Sequence, residues 1–245
     1  MTFRTTSRRR DEDEAESGAP PPLVVSVHRS DLAARGEFTV ARTEPMTALD
    51  ALLAVQRDHD PTLGFRFSCR VAMCGTCTVR LDGRAVLACQ ARIEPDVEAV
   101  RIDPLAGLPV IRDLLVDMRP FWDEWARVTP YLMPRPDLDE PARIEPDSEE
   151  RRTIDPALDC IGCGACFSSC GIADARRDFL GPAALNRAMA LIADSRDGAR
   201  EERLRAVGAG DGVDRCHYIY ACTAACPKGL DPAGAIRRLR VWRRA

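Results

Sequence analysis

The sequence predicts an α+β chain of two parts, a sheet-bearing first half followed by a mostly helical second half. Three observations predict it. β-branched runs bounded by turn residues gather before Val110, apolar residues at helical spacing recur after it, and the eleven cysteines divide into a compact first set and a repeated second set. At 245 residues the chain is long enough for two domains, given a usual domain size of about 100–150 residues. The expected divisions are a tail over residues 1–22, a first domain over 23–118 and a second over 119–245.

Residues 1–22 carry charge blocks and the run Gly18-Ala19-Pro20-Pro21-Pro22 with almost nothing apolar to bury, so a disordered tail is expected. Residues 23–28 and 37–42 then read as two strands around a turn at Gly36. Thr47 caps a helix running to Asp58, because Ala48, Leu49, Leu52, Leu53 and Val55 recur at helical spacing and Pro61 stops the run. After a cysteine-rich loop, residues 77–81 and 85–89 form a hairpin about Asp82-Gly83. Residues 110–127 look helical, and residues 134–152, rich in Pro and acid, read as a surface segment between the halves. Gly181-Pro182 introduces a helix bearing Ala183, Ala184, Leu185, Ala188, Met189, Leu191 and Ile192, and residues 232–244 form the last helix.

Composition excludes several functions. A net charge of −3, with the basic side chains spread along the chain, disfavours nucleic-acid binding. No run reaches the roughly 18 apolar residues a bilayer span needs, so any membrane link is expected through a partner. Residues 1–10 are basic and Ser/Thr-rich like a transit peptide, yet Asp11-Glu12-Asp13-Glu14 follows at once and no apolar core of a signal peptide exists, so neither import nor secretion is expected. Lys228 is the sole lysine among the basic residues, a bias that fits a GC-rich bacterial coding sequence.

The cysteines carry the chemistry. Cys69-x4-Cys74-x2-Cys77, with Cys89 further on, has the spacing of a plant-type [2Fe–2S] site. Gly75 lets the backbone approach closely, leaving amide N–H groups free to point at sulfur. A zinc site is the alternative, although zinc favours paired Cys-x2-Cys hooks over this uneven run. The second set is an internal repeat: Cys160-x2-Cys163-x2-Cys166-x3-Cys170, then Cys216-x2-Ile219-x2-Cys222-x3-Cys226-Pro227. Both copies follow the bacterial two-cluster ferredoxin run, in which the last cysteine of each copy crosses to the other cluster. Cys160, Cys163, Cys166 and Cys226 then hold a [4Fe–4S] cluster. Cys170, Cys216 and Cys222 remain, and Ile219 occupies the place of a fourth thiolate. An isoleucine cannot ligate iron, so a [3Fe–4S] cluster is expected there; a labile fourth iron held by water is the alternative. All eleven cysteines are used, with none left over. The expected fold is thus a β-grasp, plant-type [2Fe–2S] ferredoxin-like domain followed by a mostly α-helical, bacterial-type two-cluster ferredoxin domain.

From Leu23 to the C-terminus the chain resembles the iron–sulfur subunits of succinate dehydrogenases and fumarate reductases. The resemblance is carried by Ser68-Cys69-Arg70, Cys74-Gly75, Thr129-Pro130-Tyr131-Leu132, Gly181-Pro182-Ala183, Asp194-Ser195-Arg196-Asp197, and Cys222 through Cys226-Pro227-Lys228-Gly229-Leu230. It implies an electron relay from an FAD-containing flavoprotein subunit through [2Fe–2S], [4Fe–4S] and [3Fe–4S] to a quinone beside membrane-anchor subunits; fumarate reductases run the path backwards. It also implies a peripheral location on the cytoplasmic face of the bacterial plasma membrane. A quinone pocket near Cys170 and Cys216 is implied, with His217, Ile219 and Lys228 as candidates; His217 reads equally as a surface or core imidazole, and Lys228 reads more readily as a side chain that solvates its loop than as a positive charge near the pocket. Many members of that family, ubiquinone users especially, carry a tryptophan-containing segment after Cys-Pro, whereas this chain reads Cys170-Gly171-Ile172-Ala173-Asp174-Ala175, a departure that points to menaquinone or to an unusual anchor. The arginine-rich end around Trp242 faces anionic lipid, an anchor subunit or plain solvent.

Overall fold

The computed structural model describes residues 21–31, 35–43, 45–138, 142–176, 179–210 and 212–244. The tail reading therefore lies almost wholly outside the described residues. Strand β1, Leu23–Val27, alternates buried Leu23, Val25 and Val27 with more exposed neighbours. Strand β2, Gly36–Val40, pairs with it in antiparallel register. Gly36 is thus the first residue of a strand and not the turn that the sequence suggested. After the short β3, Met46–Thr47, comes helix α1, Ala48–Asp58. The Thr47 side chain accepts from the Asp50 backbone N–H and the Asp50 carboxylate accepts from the Thr47 N–H, a reciprocal cap that fixes the start of α1. Its buried face is Ala48, Leu49, Ala51, Leu52, Ala54 and Val55.

Strands β4, Thr78–Leu81, and β5, Arg84–Leu87, form the expected hairpin. Its turn residues Asp82 and Gly83 both lie at positive φ, 48° and 83°, the backbone a two-residue hairpin turn requires. The short β6, Arg92–Ile93, pairs with β3, and β7, Ala99–Asp103, runs parallel to β1 and antiparallel to β4. The sheet order β2-β1-β7-β4-β5, with α1 packed on one face, is the β-grasp arrangement.

The helical reading of residues 110–127 is corrected. Strands β8, Val110–Arg112, and β9, Leu115–Val116, form a small hairpin, and helix α2 spans just Arg119–Ala126. The reason is long-range. Asp113 turns the chain at φ 50°, fully buried, its carboxylate accepting from the backbone N–H groups of Ser30 and Gly64 at 2.9 and 2.8 Å and pairing with Arg29 at 3.2 Å. The surface segment also ends earlier than expected. Ser148 caps helix α3, Glu149–Leu158, so residues 149–152 are helical, and Pro134 bridges to Asp197.

In the second half, α4, Ala165–Ser168, and α5, Gly171–Ala175, follow the first cysteine run. Helix α6, Gly181–Ala193, is buried on nearly every side, and its alanines let neighbours approach closely. Helix α7, Arg200–Gly208, the short α8, Ala221–Ala224, and α9, Pro232–Arg244, complete the fold. Helices α3, α7 and α9 pack against α6 around Ile154, Leu185, Ile192, Val207, Ile236 and Leu239. Leu105, Leu108 and Val116 also enter this second core, and the Ala106 N–H donates to the Ser168 hydroxyl at 2.7 Å, so the two halves interlock.

Candidate metal centres

The loop between α1 and β4 winds about its own sulfur atoms. Backbone N–H groups of Val71, Met73 and Cys74 donate to Cys69 Sγ at 3.5, 3.3 and 3.3 Å. They can do so because Arg70 and Ala72 both sit at φ 57° and Gly75 at 68°. A non-glycine residue held there costs roughly 1–2 kcal/mol, a strain that points to a site. Cys77 opens onto β4 and Cys89 follows β5, bringing the fourth thiol in from the neighbouring strand. The Thr76 hydroxyl and nearby backbone N–H groups lower the Cys74 thiol to about 6, whereas burial pushes Cys77 up to about 11. On the outer side of this loop the Val71 and Met73 residues are 67% and 63% exposed.

The second cysteine set repeats its local backbone in two copies. Gly162 and Gly164, at φ 63° and 78°, lie between Cys160, Cys163 and the start of α4, which carries Cys166; Tyr218 and Tyr220, at 54° and 61°, hold the matching places between Cys216, Ile219 and the start of α8, which carries Cys222. Two voids result. One is lined by Cys160, Cys163, Cys166 and Cys226, with Phe121, Pro227, Leu230 and Pro232. The other is lined by Cys170, Cys216 and Cys222, with Phe179, Pro182 and Ile236. The last cysteine of each copy therefore stands with the other copy's thiols.

His217 and Ile219 line the second of these voids, and Ile219 is 76% exposed. Lys228 does not join them. It borders the Cys226 void, because it follows the crossing cysteine. Three further residues were not read from the sequence. Trp122 covers Gly162 so closely that a Cβ there would lie 2.5 Å from the ring. Arg240 lies over the Tyr218 ring at 4.7 Å and donates to the Cys216 carbonyl at 3.1 Å. Thr78 donates to the Gly75 carbonyl at 2.7 Å. Matching the two copies would have flagged Tyr218 and Tyr220 opposite the glycines; nothing local marks the others. At the C-terminus Arg240 and Arg243 pair with Asp214, leaving Arg237, Arg238 and Val241 facing outward.

The donor set fits iron–sulfur clusters. All eleven thiols are free of disulfides. Four thiols line one void and three line the other, an all-sulfur donor set of the kind iron–sulfur clusters take. Burial pushes the Cys160, Cys163, Cys166 and Cys216 thiols up, and Cys222 up to about 11, so thiolates at these positions need a bound cation to offset desolvation.

Comparison with known proteins agrees with this chemistry. Residues 25–123 match a family described as a 2Fe-2S iron-sulfur cluster binding domain, and residues 156–230 match a 4Fe-4S dicluster domain. The chain is 38% identical over 205 residues to a succinate dehydrogenase iron-sulfur subunit of Coxiella burnetii, covering 83% of this chain and 86% of that one. It is 40% identical over 196 residues to the corresponding subunit of Paracoccus denitrificans, covering 78% and 74%. Among solved structures, a chain of the Mycobacterium smegmatis Sdh1 complex in the apo form aligns with a TM-score of 0.82 at 25% identity, covering 92% of this chain and 96% of that one. Two ferredoxin-type units in this order, with this similarity along most of the length, make the chain a member of the succinate dehydrogenase iron–sulfur subunit family.

Proposed function

We propose that this chain is the electron-transfer subunit of a succinate dehydrogenase, relaying single electrons from an FAD-containing flavoprotein subunit to a quinone beside membrane-anchor subunits. The observation that carries the reading is the partition of thiols around two voids in the second half, with a separate four-cysteine site in the first half. We assign Cys69, Cys74, Cys77 and Cys89 to [2Fe–2S]; Cys160, Cys163, Cys166 and Cys226 to [4Fe–4S]; and Cys170, Cys216 and Cys222 to [3Fe–4S]. Such clusters supply one-electron redox chemistry when bound. The residues around them do the rest. Amides at Val71, Met73 and Cys74 stabilise charge on sulfur, while Phe121, Trp122, Phe179 and Leu230 keep water from the cages. The third cage holds three thiols because Ile219 offers no donor atom.

The exposed Val71 and Met73 beside the first cage suit the flavoprotein contact. His217 and Ile219 at the third suit the quinone side, and the outward Arg237 and Arg238 suit an anionic membrane surface on the cytoplasmic face of a bacterial plasma membrane. Among the described residues no helix is long and apolar enough to cross a membrane, so attachment through anchor subunits is part of the proposal, as is the absence of a nucleic-acid partner. The named relatives favour succinate oxidation over fumarate reduction. The test is electron paramagnetic resonance (EPR) of the purified complex after adding succinate. Reduction of the chain's clusters by succinate, reversed by quinone, supports the reading; clusters that respond to dithionite alone contradict it.

A further inference from the structure

Resting on the relay reading, we propose that Gly75, held in place by Thr78, is the positioning residue that sets the electron crossing between the first cage and the second. At Gly75 the first loop presses bare backbone against Cys163. A Cβ built there would lie 2.7 Å from Cys163 Cβ, 3.0 Å from Cys163 Cα and 3.2 Å from the Ile161 carbonyl oxygen. Ordinary contacts begin near 3.4 Å, so any side chain at position 75 would push the loops apart. The approach joins one cage's loop to a cysteine of the next, because Gly75 follows Cys74 and the nearest atoms are the Cβ and Cα of Cys163.

Thr78 fixes this contact. Its side chain is buried, and its hydroxyl donates to the Gly75 carbonyl at 2.7 Å, tying the loop's closest point to the first residue of β4. Thr78, Cys74, Gly75 and Cys163 all border the same space between the halves. Tunnelling falls off steeply with each added ångström, so the residue with no side chain at the contact governs the rate. In the crossing one electron leaves the Cys69/Cys74/Cys77/Cys89 centre, which is oxidised, and enters the Cys160/Cys163/Cys166/Cys226 centre, which is reduced. No bond forms or breaks and no proton moves.

The experiment uses the loaded full-length chain in its complex, with laser-flash reduction to follow transfer between the first two centres. EPR titration gives each centre's own spectrum and potential. Gly75→Ala slows transfer several-fold, and the titration separates that loss from any change in the first centre's spectrum or potential. Gly83→Ala, which introduces the same left-handed strain at φ 83° where nothing lies within 4 Å, keeps the wild-type rate. Thr78→Val slows transfer and Thr78→Ser restores it. A wild-type rate in Gly75→Ala overturns the proposal; should that variant fail to load iron, a wild-type rate in Thr78→Val overturns it instead. Absence of two separate centres in the wild-type chain would sink the relay reading itself, an outcome that the iron content and spectra distinguish.

Discussion

Ile219 stands in the second copy where Cys163 stands in the first, and the backbone on either side of it repeats the first copy's left-handed turns at Tyr218 and Tyr220. The loop is therefore already shaped for a fourth thiolate. Ile219→Cys is expected to add about one iron per chain and to abolish the oxidised-state three-iron EPR signal. Retention of that signal with no extra iron would show that the cage geometry, and not the missing donor, limits the cluster. Elsewhere, one buried charge pair sets a structural limit. Arg203 and Asp197, 1% and 0% exposed, pair at 2.7 Å, and Arg203 also donates to the carbonyls of Val128, Thr129 and Tyr131. Arg203→Ala leaves the buried Asp197 carboxylate without its counter-charge, with just the Met133 and Ala199 backbone N–H groups donating to it, and removes the guanidinium from the three carbonyls, so a loss of about 3–5 kcal/mol is expected in denaturant unfolding; a loss below about 1 kcal/mol would mean water replaces the guanidinium.

Strand β7 is held at its end by Asp103, which pairs with Arg35 and, at 2.8 Å, with Arg101. Burial alone would raise this carboxyl, but the two guanidiniums outweigh it and hold it below the ordinary carboxylate range. A depressed folded-state value contributes stability that is present above the unfolded value, near 3.9, and is lost as pH falls through the lower folded value. Asp103→Asn should remove that part of the acid transition when unfolding is followed by circular dichroism, and an unchanged acid limb would contradict the assignment. Local signals made some elements legible: the Thr47–Asp50 cap announces α1, and Asp82-Gly83 announces the β4–β5 hairpin. Strand β7 was missed because just Val100 and Ile102 mark its inner face, and α7 because a paired arginine, Arg203, occupies a core position beside Val207. The β8–β9 turn depends on Ser30, Gly64 and Arg29, which are distant in sequence. Cysteine spacing proposed a partition of thiols, and the structure sets Cys226 with the first copy's thiols and Cys170 with the second's, whereas the Gly75–Cys163 contact arises from how the halves pack.

Across the whole molecule Leu105, Leu108 and Val116 of the first half enter the second core and Cys163 packs against both cores, so the two thiol sites are joined by packing and not by a flexible linker. An electron relay needs that rigidity, and it also needs each cage filled with the right number of irons. Iron and acid-labile sulfide analysis of the anaerobically purified chain, combined with EPR of its oxidised and reduced states, tests the central claim most directly. The account predicts about nine irons per chain, an oxidised-state signal from three irons and a reduced-state signal from two. Far fewer irons, bound zinc and silence in both states would contradict it.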